Sequence, residues 1–342
     1  MSVKETRNCP ECKTQDAMDR RSFMRTLGGT TAVLAAGAAA PRVWAEAQPA
    51  PANHVGKPAE AMIQELYSGL SQEQKDKVVM PWNHGAGNNQ TPTRMRMYNA
   101  SINAHRIGTA YTPAQQELIE RILRSISSGE DGYRQITRGG TFDNSQTLQN
   151  CGAHIFGDPT GGRQFAWVFS GHHITVRCDG NSEPDTAFGG PMYYGHSPDG
   201  YSSRNIFYYQ TRAVLSVFDA LTEAQRRQAL IRDNPGELEP SIRFRNSGYP
   251  GIPTADMTAD QRRLVESVMR EVLSPFRRDD SDEVMQIIRR NGGLERIHLG
   301  FYRDPGVTDQ TWHFWRLEGP GFVWNYRVLP HVHTYVNIAV RA

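Results

Sequence analysis

Apolar residues recur along this chain with two different periods, and the period switches where turn residues fall. After Thr112 and Pro113, the residues Leu118, Ile119, Ile122, Leu123 and Ile126 share one helical face, and Gly129 closes the segment. Thr112 stands three residues before Gln115, and the same spacing recurs at Ser71–Gln74, Thr222–Gln225 and Thr258–Gln261. This is the capping-box arrangement, in which each side chain satisfies an orphan backbone N–H at a helix start. The pattern predicts further helices near 59–70, 205–220, 258–273 and 282–291.

Elsewhere aromatic and β-branched residues alternate with period two, in two blocks. The first runs through 153–156, a turn at 158–162, 165–169, Gly171 and 172–178. The second runs through 297–299, a turn at 304–306, 312–317, Gly319 and 322–328. Placing Gly171 on Gly319 superposes Trp167 on Trp315 and Phe169 on Leu317, and His154 and His298 occupy equivalent places in the two blocks, which favours a repeated packing role. A last strand follows over 331–340. The expected fold is α+β: an antiparallel sheet built from two echoed three-stranded meanders plus a C-terminal strand, covered by amphipathic helices. A single domain, 58–342, is expected behind a Pro- and Ala-rich linker, 48–57.

With 342 residues, 38% hydrophobic and 22% charged, the chain is neither disordered nor membrane-embedded in composition. Its formal charge is +2, and that basic excess falls entirely within the first 47 residues. A neutral body lacks the electrostatic footprint of a nucleic-acid binder. Within the first 47 residues, Arg20-Arg21 precede a Gly- and Ala-rich apolar run over 27–40. A membrane-spanning helix needs about 20 apolar residues, so this run is too short. Small residues at Ala45 and Ala47 suit processing. The segment 1–47 resembles a twin-arginine (Tat) export signal. The resemblance implies that the Tat machinery exports a folded chain to the periplasm or beyond, often with a cofactor already loaded. Cys9-x-x-Cys12 would leave with the signal, so Cys151 and Cys178 remain. In an oxidising compartment a disulfide between them is expected, with a metal-thiolate role for Cys178 as the alternative.

Strand parity places the polar chemistry. In the last strand His331, His333, Tyr335 and Asn337 share one face, opposite Val332, Val336 and Ile338. After Gly171, His173, Thr175 and Arg177 share a face, and His172 goes with Ile174 and Val176. If the polar faces coincide, His173, His331 and His333 converge. Two imidazoles at i, i+2 are a common start for a metal site, and imidazole suits copper, iron, nickel and zinc. His172 is then a second-sphere residue or a fourth ligand. Arg316 is a candidate for an anionic substrate group, and Tyr335 for donating a hydrogen bond or proton. No Glu follows the H-x-H at cupin-like spacing, and no histidine leads the expected mature chain near Glu46 or Gln48. His196 falls in a turn-rich loop, and His84 and His105 fall in a polar stretch. P-loop, Rossmann and G-x-S-x-G patterns are absent, which counts against nucleotide-dependent and α/β-hydrolase chemistry.

Three motifs occur together: Trp167-x-Phe169-x-Gly171-His172-His173, Trp315-Arg316-x-x-Gly319-Pro320 and His331-x-His333-Thr334. Together they resemble the exported bacterial domain-of-unknown-function family thirty-five hundred, over nearly the whole mature chain. The family pattern commonly has an acidic residue where this chain has Asn325, so no carboxylate is expected to act there. The resemblance supports the architecture and the histidines and implies no particular reaction. The expected protein is an exported metal-binding protein, with a copper- or iron-type oxidoreductase acting on an unknown small-molecule or extracellular substrate as the first reading. A zinc-type metallohydrolase and a non-catalytic metal- or ligand-binding protein are the alternatives. Replacing Arg20 and Arg21 by lysine is expected to block periplasmic accumulation. Fractionation checks this, and normal accumulation of the variant would remove the argument for folded export.

Overall fold

The computed structural model describes residues 58–88, 90–232, 235–237, 242–303 and 312–341. The signal segment with Cys9 and Cys12, the linker and the turn at 304–306 lie outside the described residues. The first half runs α1 (Ala59–Ser68), α2 (Gln72–Val78), β1 (Val79–Met80), α3 (Ile107–Ala110), α4 (Pro113–Ser125), α5 (Gly129–Ile136), β2 (Gly152–Gly157), β3 (Phe165–Gly171), β4 (Ile174–Cys178) and β5 (Met192–His196). The second runs α6 (Tyr208–Ala220), α7 (Glu223–Ala229), β6 (Leu230–Ile231), β7 (Ile252–Pro253), α8 (Ala259–Val272), α9 (Arg278–Arg290), β8 (His298–Tyr302), β9 (Phe314–Gly319), β10 (Phe322–Arg327) and β11 (Val332–Ile338).

Among the described residues eleven strands form one mixed sheet in the order β1-β2-β3-β4-β5-β11-β10-β9-β8-β6, with β7 beside β8. The two expected meanders, β2-β3-β4 and β8-β9-β10, are both present. Their echo extends to the register: Trp167 pairs with Cys178 as Trp315 pairs with Tyr326. It also extends to the edges, where Val79 runs parallel to Ile155 and Leu230 runs parallel to Phe301. The same register corrects one detail. His154 pairs with Val168, whose counterpart Arg316 pairs with Gly300, so His154 matches Gly300 and not His298. Strand β5 was not anticipated. It pairs with β11 and joins the two meanders into one sheet.

Helices cover one face. Trp167, Val176, Trp315, Trp324 and Val336 from the strands pack there against Ile63, Ile122, Val268 and Ile287 in one apolar core. The other face is covered by irregular chain: Trp82 and Ile102 lie over Phe156 and Val168, and Ile242 lies over Val323 and Tyr335. Both faces are therefore dry, which explains why the strands are buried at nearly every position. Among the described residues no helix is long and apolar enough to cross a membrane.

All four capping boxes form. Their glutamines also do something the local pattern does not show. Gln74 Nε2 donates to Gln115 Oε1 at 2.7 Å, and Gln225 Nε2 donates to Gln261 Oε1 at 3.0 Å, so the boxes pair within each half. The expected disulfide is overturned: Cys151 and Cys178 are both free. Cys151 lies against Gly171 at one end of β3, and Cys178 pairs with Trp167 at the other. Four strand residues separate those levels, about 13 Å, whereas a disulfide needs Cα atoms within about 7 Å. Burial pushes the Cys151 thiol up to about 11 and the Cys178 thiol higher, so neither is a ready thiolate.

Gln74→Ala and Gln115→Ala should each lower the unfolding free energy by about 1 kcal/mol, the usual cost of a lost cap. Because the two side chains also bond each other, the double variant should lose less than the sum. Urea unfolding of the mature chain measures both.

Candidate metal centre

The site is built around two tight features, a hairpin turn and the start of β11. Gly171 pairs with Ile174, so His172 and His173 form a two-residue turn, and β4 begins two residues later than expected. Every backbone group of that turn that can be followed is held from outside. The His172 N–H donates to Ser145 Oγ at 2.8 Å and the His173 N–H to Asn99 Oδ1 at 2.7 Å. Arg138 Nη2 donates to the His172 carbonyl at 2.7 Å, and the Gly195 N–H donates to the His173 carbonyl at 2.9 Å. In the second half the equivalent turn is Pro320-Gly321, where the Ala339 N–H donates to the Gly321 carbonyl at 2.9 Å. Asn291 Nδ2 there donates to the Pro320 carbonyl, as Arg138 does to His172.

The turn position that one half fills with Gly321, at φ +62°, the other fills with His173, at φ +56°. A left-handed backbone suits glycine and costs other residues about 1–3 kcal/mol. Arg138, Phe142, Asp143 and Gln146 are left-handed as well. Among the described residues the first half thus carries strain at this turn that its sister does not, and five of its left-handed residues lie on or close to one cluster of side chains.

That cluster contains His173, His331 and His333, whose ring nitrogens lie within 4.8 Å of one another and are all buried. His173 Nδ1 donates to Asp143 Oδ2 at 2.7 Å, which leaves Nε2 as a lone pair, buried and without a partner. His333 Nδ1 faces Glu237 Oε2 at 3.1 Å, so its Nε2 is also a lone pair. Arg327 Nη2, which can only donate, lies 3.2 Å from His331 Nε2 and assigns a lone pair there too. His331 Nε2 and His333 Nε2 are then 2.8 Å apart. Two lone pairs at that separation repel, and a cation shared between them would reconcile them. Ligand nitrogens about 2.0–2.1 Å from a tetrahedral metal stand about 3.3 Å apart, between the 2.8 Å of the His331–His333 pair and the 4.8 Å that bounds the cluster. Gly195 pairs with His333 across β5 and β11, and a Cβ on it would lie 3.2 Å from His333 Cδ2 and 3.4 Å from His173 Cβ. The same Cβ would collide with the Val332 carbonyl oxygen, so a glycine is what lets β5 approach β11 this closely beside the rings.

The electrostatics keep the imidazoles neutral, the ligand form. Burial pushes His173 down to about 3 against the opposing pull of Asp143, and burial with the Arg327 charge drives His331 and His333 well down. Burial alone would raise Asp143, but hydrogen bonds from His173 and His196 and the Arg138 charge hold it far below the usual carboxylate range. Burial raises Glu237, opposed by the Arg327 and Arg316 charges.

The expected convergence of His173, His331 and His333 is present. The ring of His172 lies 3.8 Å from that of His173, and its Nδ1 accepts from the Asn144 N–H at 3.3 Å, which places a proton on the other nitrogen. Arg316 is fully buried and donates to Asn325 Oδ1 (2.6 Å), the Gly236 carbonyl (3.1 Å) and the Tyr335 hydroxyl. It anchors the segment that presents Glu237. His196 is not in a loop. It ends β5 and donates to Asp143 Oδ1 at 2.7 Å. His84 and His154 bond elsewhere, to Thr93 and Asn103. Sequence reasoning missed Arg138, Asp143, Glu237 and Arg327. The only hint was Arg138-Gly139-Gly140, a glycine pair just upstream of Asp143.

Fold and site together define a mixed α+β protein with a buried three-histidine cluster able to hold a metal ion. The chain belongs to the family described as Protein of unknown function (DUF3500), whose profile matches residues 52–338. No curated protein and no solved structure matches it.

His333→Ala and His173→Ala should each abolish stoichiometric metal in the purified protein, while His84→Ala should not. Asp143→Asn or Glu237→Gln, which unfasten a ligand from behind, should weaken the metal about 10–100-fold. Elemental analysis and competitive chelator titration read both effects.

Proposed function

We propose that this is an exported metalloenzyme in which His173, His331 and His333 hold one transition metal, copper or iron, that performs oxidoreductase chemistry. The observation that carries the reading is the pair of facing lone pairs on His331 and His333 beside the orphaned nitrogen of His173, all three buried. A structural histidine would have its nitrogens satisfied by the protein. Here two of the rings are tethered at Nδ1 by Asp143 and Glu237, the outer-sphere arrangement that orients metal-bound imidazoles. Three neutral nitrogen donors without a thiolate suit copper best in the affinity order of divalent metals, and a cofactor-loaded chain suits the twin-arginine signal read at Arg20-Arg21.

In this reading the metal supplies the redox chemistry when bound. The chain's own residues position it: Asp143 and Glu237 aim the ligands, Arg138 and Asn99 lock the turn, and Gly195 leaves room. Arg316 and Tyr335 serve as positioning residues, because Arg316 fixes Gly236 beside Glu237 and Tyr335 bonds Arg316. His172 is an outer-sphere hydrogen-bonding residue. The zinc-metallohydrolase reading keeps one specific support: three histidines with a position left open is also a catalytic zinc donor set.

Protein exported through its own signal should carry about one copper or iron per chain, with a paramagnetic resonance signal lost on His331/His333 double substitution. Stoichiometric zinc with no signal would transfer the function to the hydrolase reading. A chain purified from the periplasm with full metal in the double variant would place the site elsewhere.

A further inference from the structure

The cluster reaches solvent on the side where Arg327 and Glu237 meet His333, with their side chains 16%, 19% and 11% exposed. Arg327 occupies this opening with its guanidinium fork divided. Nη1 donates to Glu237 Oε2 at 2.6 Å, Nε donates to the His331 carbonyl at 3.3 Å, and Nη2 reaches His331 Nε2 at 3.2 Å. The first two bonds need no change when a metal binds. The third does, because a metal ion takes the His331 Nε2 lone pair that Nη2 now uses. Arg327 would then hold one N–H of a full positive charge without an acceptor, in a partly buried position beside the metal. Such a donor is costly to leave unmade. In the geometry present Nη2 has no bond to Glu237, because Nη1 and His333 share Oε2 and Oε1 is buried without a partner.

We propose that Arg327 selects an anionic oxygen ligand for the metal, so that the substrate class is a carboxylate or a comparable oxyanion. One oxygen would occupy the open metal position and accept from Arg327 Nη2. This rests on the three-histidine reading above and deepens it. The alternative cation, Arg316, is 1% exposed, with Nε and Nη2 bonded to Asn325, Gly236 and Tyr335 and Nη1 3.7 Å from the Glu318 carboxylate, so burial keeps it from a ligand entering at the opening. Charge-assisted hydrogen bonds to a carboxylate are roughly twice as strong as neutral ones, which gives the guanidinium its leverage over ligand choice.

The test uses mature protein loaded with copper(II), with acetate as the anionic probe and imidazole as the neutral one, each followed by the change in the copper absorption and resonance spectra. Wild type should bind acetate, and Arg327→Gln should weaken acetate by about tenfold or more while leaving imidazole affinity and copper stoichiometry unchanged. Arg327→Lys, which keeps the charge but not the fork, should fall between the two. Equal acetate affinity in wild type and Arg327→Gln overturns the proposal, as does a parallel loss of acetate and imidazole, which marks a purely structural role. If Arg327→Gln loses copper, the Arg327→Lys variant decides: wild-type acetate binding by it overturns the forked contact. A wild-type chain that takes up no copper refutes the metal reading itself, an outcome distinct from an anion response indifferent to residue 327.

Discussion

The pairing of β5 with β11 is the contact on which the rest of this protein depends. Among the described residues it is the only ladder that ties the first half of the sheet to the second, and it sets Gly195 opposite His333. Because the Gly195 N–H also donates to the His173 carbonyl, one glycine brings together a turn from the first half and a strand from the second. A shift of one residue in that ladder would turn His333 and Tyr335 toward the helices and expose Val332 and Val336 to the polar side. The apolar alternation of β11 therefore protects the site as well as the core.

The two halves use one framework for different ends. Capped helices paired through glutamines, a parallel edge strand and a three-stranded meander occur in both, with the same register. At the turn between the last two meander strands they part. The second half has Pro320-Gly321, closed by Asn291, with its backbone needs met by residues that carry no chemistry. The first half has His172-His173, closed by Arg138, with a run of left-handed residues leading to Asp143. Strain at one copy of a repeated feature, absent from its sister, is a local cost that packing does not require.

What the strained copy achieves is a set of imidazoles held neutral, tethered from behind and aimed at each other. Asp143 bonds both His173 and His196, linking the buried cluster to a histidine at the rim. Glu237 and Arg327 close the other side and carry opposite charges into a nearly dry space. Asp143 and Glu237 oppose Arg138 and Arg327, so the surroundings are close to neutral before any cation enters. That balance lets carboxylates tether the ligands without a net negative charge buried in the sheet.

Much of this was legible in the sequence. Capping boxes are local, so each of the four helix starts followed from a few residues, and strand alternation is local, so Trp167 found Trp315 and His331 found the face of His333. The convergence of His173 with those two needed only parity and the assumption of one shared face. Tertiary structure decided the rest, because it depended on contacts between distant segments. The glutamine pairs join boxes 36 to 41 residues apart. The free cysteines follow from their places at opposite ends of β3. Asp143 opens a short 3-10 turn and Glu237 lies in irregular chain, neither with a readable period, and Arg327 ends β10 at the opening whereas Arg316 is buried within β9. Local pattern determines which face a side chain takes, whereas the partner it meets there is set by how the sheet brings the segments together.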